Sequence, residues 1–159
     1  MEFPERVFTE EEVQRARKAI KMGYKHPVVI VEGSPDFKRR VEEALELIKV
    51  ADYYDFLRTY IGRIVEISGL SQLRTEEAAI WANRYAVADP VDAASFFIQK
   101  AYQMMEFIEG KPHFSGQGEM RAIKKRIEFL RALRERSGDE SVRRRCQELI
   151  EFWTEPLFP

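Results

Sequence analysis

The pattern of hydrophobic and polar positions is most regular between Asp89 and Phe107, where it predicts a buried helix. Asp89 suits the N-cap, Pro90 suits the first helical position, and Asp92 places a carboxylate near the helix N-terminus. Most of the side chains that follow are apolar, which is typical of a buried helix. One polar line interrupts them at spacings of three or four, so these residues share a face: Asp92, Ser95, Gln99, Gln103 and Glu106. We call this line the polar stripe.

Capping residues and apolar stripes predict several other helices. They cover about residues 10–22, 35–50, 119–136 and 140–153, with a short helix through 75–81. Residues 52–69 fit both a helical stripe and a β-branched strand. We assign them a helical start followed by a strand over 61–67.

The best strand signal is the β-branched run Val28–Val31, bounded by Pro27 and Gly33. Because this run shows no alternation, we expect it to be buried on both faces. Residues 85–88 predict an edge strand, and the glycine-rich stretch 110–118 predicts a loop.

Together these elements predict an α+β fold, mainly helical, with a small sheet. An all-α bundle is the alternative if residues 61–67 are not a strand. The chain has 159 residues, the usual size of one domain, and contains no repeat or linker. We therefore expect a single domain over 1–159, with 1–8 and 154–159 as tails.

Composition narrows the function classes. With a net charge of −1, the chain has no overall positive charge that would attract nucleic acid or an anionic membrane. No apolar run approaches the ~18 residues that are needed to span a bilayer. Cys146 is the only cysteine, so no intrachain disulfide forms, and no signal sequence is apparent. We expect a cytoplasmic protein without nucleic-acid or membrane partners. The abundance of Glu, Arg and Lys favours a thermophilic source.

Motifs for known chemistry are absent, since the chain lacks phosphate-binding glycine loops and the nucleophile elbow. Cys146 fits a small buried side chain better than a nucleophile. His113 lies in the predicted loop, where a surface role is more common than a catalytic one. The basic cluster Arg143, Arg144 and Arg145 is the part of a charged helix face best placed to bind a partner.

The order of elements resembles that of small zincin-like metallopeptidases. In that family a strand and a glycine lead into a helix, a strand region follows, and a helix carrying His-Glu-x-x-His precedes a third metal ligand. The similar segments are 31–48, 54–67, 94–104 and 116–119, within about residues 27–150. The resemblance rests on order and pattern, without the diagnostic motif.

The chain departs from the family at the metal-binding positions, where it has Gln99-Lys100-Ala101-Tyr102-Gln103. An amide is a poor zinc ligand, and Lys100 stands where the family has its general base. Glu119 matches the third ligand, but a single carboxylate does not hold zinc. Gln99 and Gln103 are then either a remnant site, together with Asp92, Ser95 and Glu119, or the polar face of an amphipathic helix.

These observations support three functional hypotheses. The first is a non-catalytic structural or protein-interaction module on a degenerate zincin-like scaffold, with no metal or other cofactor. The second is a hydrolase with an unrecognised site near Glu119, Asp92 and His113. The third is a helical adaptor in an oligomeric assembly. The partner would be another protein or a second copy of the chain.

Overall fold

The computed structural model describes residues 2–157, and these form six α-helices and a four-stranded sheet. The helices are α1 (Glu10–Lys21), α2 (Pro35–Val50), α3 (Tyr54–Tyr60), α4 (Pro90–Ile108), α5 (Gly116–Arg136) and α6 (Glu140–Thr154). The strands are β1 (Ile30–Glu32), β2 (Arg63–Glu66), β3 (Gln72–Arg74) and β4 (Ala79–Ala82). The predicted mainly helical α+β fold is confirmed, and the sheet excludes the all-α alternative.

The sheet has the order β1-β2-β4-β3, in which only β3 runs antiparallel to its neighbour. One face belongs to the hydrophobic core, along the row of aligned residues Val31, Ile64, Ile80 and Leu73. Because side chains alternate along a strand, the residues beside this row point to the opposite face. That face carries Arg63, which forms ion pairs with Glu32 at 3.2 Å and Glu77 at 3.0 Å. The helices therefore cover one face of the sheet.

The helix α4 is the centre of the core and contacts each of the other five helices. The Asp89 carboxylate accepts the Asp92 N–H, as the capping pattern predicted. At the other end, the Arg17 guanidinium donates to the Ile108 carbonyl at 2.9 and 2.6 Å. Both ends of this buried helix thus have partners for backbone groups that a helix leaves unsatisfied.

Other local predictions are also confirmed. Thr9 and Glu12 form the predicted capping box of α1, and Ser34 caps α2. The ambiguous segment 52–69 holds α3 followed by β2, so it begins as a helix and continues as a strand. The stretch before α5 is a loop, as predicted.

The run Val28–Val31 contributes to a strand, as predicted, but the prediction that it is buried on both faces is wrong. The strand β1 covers residues 30–32 and lies at the edge of the sheet. Val28 is 54% exposed and Ile30 is 51% exposed. The run is β-branched, but only the face that includes Val31 packs against helices.

Two predictions on either side of β4 are also wrong. The helix expected through 75–81 is a single 3₁₀ turn, Thr75–Glu77, which ends where Ala78 takes a left-handed conformation with φ 50°. The apolar residues that follow form β4. The expected edge strand at 85–88 is a turn, in which the Asn83 side chain accepts the N–H groups of Tyr85 and Ala86, both at 3.0 Å. The sequence did not indicate β3, which pairs with β4 and forms the edge of the sheet opposite β1.

The helix α5 begins three residues before the predicted Glu119. Gly118 makes this possible, because a Cβ at this position would lie 2.2 Å from the Pro112 carbonyl oxygen. Of the predicted tails, Phe3 stacks on Tyr24 with ring centroids 5.1 Å apart, and residues 155–157 form a 3₁₀ turn. Positions 1, 158 and 159 lie outside the described residues. Within residues 2–157, every helix is too short or too polar to cross a membrane.

Candidate functional site at the polar stripe

The first half of the polar stripe is bound by one guanidinium, that of Arg126 on α5. Arg126 donates to Ser95 Oγ at 2.9 Å, to Gln99 Oε1 at 2.7 Å and to Asp92 Oδ1 at 2.7 Å. Arg126 is 4% exposed, and its guanidinium carbon lies 4.1 Å from the Trp153 ring centroid. Arg126 therefore joins α4, α5 and α6.

Arg126 remains charged despite its burial. Burial lowers its pKa to about 10, an effect that the Asp92 carboxylate opposes. At neutral pH the guanidinium is therefore a cation, held by the Asp92 carboxylate and by three neutral oxygens, those of Ser95, Gln99 and the Asp92 backbone carbonyl. Bonds from a charged donor of this kind are stronger than those between neutral groups.

The second half of the stripe has different partners. Glu106 is fully buried, and its Oε2 accepts from Arg121 Nε at 2.7 Å. Its other oxygen, Oε1, has no hydrogen bond among the described residues. Gln103 is 7% exposed and accepts from Lys100 Nζ at 3.1 Å. Its amide donates to the His113 carbonyl at 3.4 Å, so this half of the stripe supports the loop before α5.

The His113 ring lies among aromatic side chains, at 5.4 Å from Phe107 and 4.9 Å from Phe114 between ring centroids. Burial lowers the pKa of His113, while the nearby Glu106 carboxylate raises it. The ring is therefore mainly neutral at pH 7. The contact of His113 with the polar stripe is made by its backbone carbonyl.

The structure separates the predicted site residues into groups. Asp92, Ser95 and Gln99 meet on Arg126, whereas Gln103 lies one turn further along α4 beside the loop. Glu119 is exposed in the first turn of α5. The described residues contain no group of three His, Cys, Asp or Glu side chains that could hold a metal ion. The buried part of the stripe is an interhelical network, which we call the Arg126 network.

The basic cluster on α6 is divided between internal contacts and solvent. Arg143 donates to the Ser137 carbonyl at 2.9 Å, and Arg145 binds the N-cap Asp89 at 3.0 Å. Arg144 is exposed. The neighbouring Cys146 is fully buried, as predicted, and burial raises its pKa to about 11.

A second polar region lies at the carboxyl ends of the parallel strands. It is a pocket of about 440 Å³ lined by Glu66, Ile67, Ser68, Asn83, Arg84 and Tyr85. Glu66 Oε1 accepts the Ser34 N–H at 2.8 Å, at the N-terminus of α2. A Cβ on Gly33 would lie 2.8 Å from the Glu66 Cβ. Glu66 thus occupies the anion-binding end of α2 itself.

Sequence reasoning missed Arg126 as a site residue, although a signal was present. Arg126 lies four positions after Ala122 and four before Leu130, both fully buried, so it occupies the inward face of α5. An arginine at such a position predicts a buried acceptor opposite it. The pocket at the sheet had no comparable local signal.

The chain has been compared with family models, with curated proteins and with solved structures, and none of them matches it. Its function is therefore inferred from its own residues.

Proposed function

We propose that this protein is non-catalytic, a structural or protein-interaction module on a scaffold similar to that of zincin-like metallopeptidases. The observation that carries the proposal is the position of Arg126. Its guanidinium binds Gln99, which matches the first metal ligand in the resemblance, and also Asp92 and Ser95. A cation of the protein itself thus binds one of the two glutamines that match the metal-ligating histidines in the resemblance.

The chemistry of these side chains supports the same proposal. A zinc ion beside Arg126 would meet a buried positive charge, and the amide of Gln99 is a poor zinc ligand. At the position of the general base, Lys100 donates to the Gln103 amide oxygen. An ammonium cannot accept a proton from a metal-bound water.

The interaction part of the proposal rests on exposed apolar side chains. Leu70 is 85% exposed and Tyr85 is 72% exposed, and both lie in loops beyond the carboxyl ends of the strands. Phe114 is 74% exposed in the loop before α5. Loops commonly carry binding residues, and exposed apolar side chains in them are available for a contact. In this proposal they contact a partner protein in the cytoplasm.

Metal analysis of the purified full-length protein tests the proposal. After equilibrium dialysis against zinc, we expect no stoichiometric zinc and no hydrolysis of peptides. One zinc ion per chain that resists dialysis would contradict the proposal. Metal-independent peptide hydrolysis that is lost on Glu119→Gln or His113→Gln would establish the hydrolase instead.

The scaffold resemblance has its own test, in which the missing motif is restored. We expect Gln99→His with Lys100→Glu and Gln103→His to bind zinc only when Arg126→Met is added. The matched control places a histidine pair at the exposed positions Arg144 and Glu148, which have the same spacing. If the restored variant binds zinc no better than this control, the scaffold is not zincin-like.

Sedimentation velocity over a range of concentrations tests the alternative of an oligomeric adaptor. A homo-oligomer through the exposed loops should dissociate when Leu70→Ser and Tyr85→Ser are combined. A wild-type protein that remains monomeric at every concentration would exclude self-assembly and leave a different protein as the partner.

A further inference from the structure

We propose that a cavity beside α6 binds a quaternary ammonium group. The cavity has a volume of about 350 Å³ and is lined by Asp92, Arg145, Glu148, Leu149, Phe152 and Trp153. This volume lies in the range of about 300–1,000 Å³ that is typical of small-molecule sites. The ligand class is a small organic cation whose nitrogen carries methyl groups. This goes beyond the proposed function, since it depends neither on the zincin resemblance nor on the exposed loops.

Two aromatic side chains form a corner of this cavity. The rings of Phe152 and Trp153 are perpendicular, with an interplanar angle of 90° and centroids 5.1 Å apart. The Arg126 guanidinium already lies 4.1 Å from the Trp153 ring centroid, whereas Phe152 is 61% exposed and supplies a ring face that a ligand can reach. Aromatic rings attract cations to their faces, and rings that stand as walls of a site bind quaternary ammonium groups.

Two carboxylates in the same cavity each have one oxygen without a partner. Arg126 binds Asp92 Oδ1 at 2.7 Å, and Arg145 binds Glu148 Oε1 at 3.2 Å. Asp92 Oδ2 and Glu148 Oε2 accept no hydrogen bond from the described residues. The Asp92 side chain is 35% exposed and that of Glu148 is 57% exposed, so a ligand can approach both. These acceptors beside the aromatic corner favour a positively charged ligand.

The charge around the cavity is net negative, although Arg145 is one of its walls. The Arg145 guanidinium is held by the Asp89 carboxylate at 3.0 Å as well as by Glu148. The charged groups that line the cavity, or bond directly to its charged walls, are three carboxylates and two guanidinium groups: Asp89, Asp92, Glu148, Arg126 and Arg145. One negative charge therefore remains for a ligand. The apolar walls favour a methylated ammonium over a primary one, because a primary ammonium loses more hydration on binding.

An NMR titration of the ¹⁵N-labelled full chain with choline tests the proposal. The indole N–H signal of Trp153 reports on the cavity, and Trp81, the only other tryptophan, is an internal control that does not line it. The two are well matched, because a guanidinium carbon lies 4.0 Å from the Trp81 ring centroid and both indole nitrogens are buried without a hydrogen bond among the described residues. Trp81→Phe assigns the two signals. With choline chloride replacing sodium chloride at constant ionic strength, we expect a saturable shift of Trp153 and none of Trp81.

Two further ligands separate charge from shape and identify the source of the group. The alcohol 3,3-dimethylbutan-1-ol has the shape of choline without its charge, and we expect it to bind at least about threefold more weakly. N-acetyl-trimethyllysine amide carries the same trimethylammonium group on a longer chain. Tighter binding of this compound than of choline would identify a modified protein side chain as the source, and the reverse order would identify a free solute.

Variants on α6 locate the binding site. Phe152→Leu removes the accessible ring face and should weaken choline binding about two- to fivefold. Glu148→Gln should weaken it by about twofold. Glu151→Gln is the matched control, because it removes the same charge from an exposed position on α6 outside the cavity, and it should keep the wild-type affinity.

Three results would each overturn the proposal. They are the absence of a saturable Trp153 shift, equal binding of choline and its neutral analogue, and unchanged affinity in both Phe152→Leu and Glu148→Gln. None of these measurements involves zinc, so the proposed function can fail or hold independently of them.

Discussion

Removal of Arg126 should destabilise the protein more than removal of an exposed arginine on the same helix. The substitution Arg126→Met keeps most of the apolar volume but removes the only donor that the described residues provide to Ser95 Oγ and Gln99 Oε1. Ser95 is fully buried, so its hydroxyl would be left without this partner. The Asp92 carboxylate would lose its ion pair.

The size of the effect follows from the burial of the two partners. Breaking a buried ion pair by removing one member costs about 3–5 kcal/mol. The Asp92 side chain is 35% exposed, so water can partly replace the guanidinium, and we expect the lower end, about 3 kcal/mol. For a chain of this size, that corresponds to a fall in Tm of about 6–12 °C.

Urea unfolding followed by circular dichroism measures this difference. The control is Arg131→Met, an exposed position on α5, for which we expect a change within about 0.5 kcal/mol. A double-mutant cycle with Asp92→Asn should give a coupling energy of about 1 kcal/mol or more. If Arg126→Met and Arg131→Met unfold at the same urea concentration, the Arg126 network contributes nothing to stability and the reasoning fails.

Three further predictions concern other parts of the fold. Burial lowers the pKa of His26 from 6.5 to about 4, so its contribution to stability is complete above pH 6.5 and is lost as the pH falls toward 4. Between those values the unfolding free energy of the wild type should fall more steeply than that of His26→Gln; parallel curves would contradict this. Gly118→Ala should destabilise by about 2 kcal/mol or more through its clash with the loop, whereas Gly116→Ala, with open space around it, should be neutral or stabilising in thermal melts. Cys146 should react with a thiol reagent only after unfolding, and rapid labelling of the native protein would contradict its burial.

Helices were predictable because their signals are local. The start of α4 follows from Asp89, Pro90 and Asp92, which lie within four consecutive positions and act on the same helix end. The prediction that residues 52–69 begin as a helix and continue as a strand is also confirmed, since the helical stripe and the β-branched run occupy different parts of that segment. These predictions required no knowledge of distant residues.

Strands were predicted less well because their burial depends on long-range pairing. The run Val28–Val31 has strong β propensity, yet its position at the edge is decided by how β2 and β4 pair. The strand β3 has one apolar residue, Leu73, between two polar ones, so its signal is too short to separate from a loop. Its place in the sheet comes from pairing with β4.

The polar stripe was predictable as a line on α4, but its partner was not. Asp92 and Arg126 are 34 positions apart, and helical spacing does not say which face of α5 meets which face of α4. The resemblance directed attention to Gln99, Gln103 and Glu119. Only Gln99 belongs to the Arg126 network, and the other two residues face the loop and solvent.

The Arg126 network buries charged groups, and the free-energy cost of removing them from water suggests that the network has a role other than stability. Well-packed apolar residues commonly match or exceed the stability of a buried ion pair, so the network is not the most stable way to join α4 and α5. We expect the combined replacement Asp92→Ala, Ser95→Ala, Gln99→Leu and Arg126→Leu to recover most of the stability lost in Arg126→Met, as measured by urea unfolding. A combined variant less stable than Arg126→Met would show that the polar contacts themselves stabilise the fold. Recovery would instead mean that the network is kept to fix how the two helices align, or as the remnant of a metal site.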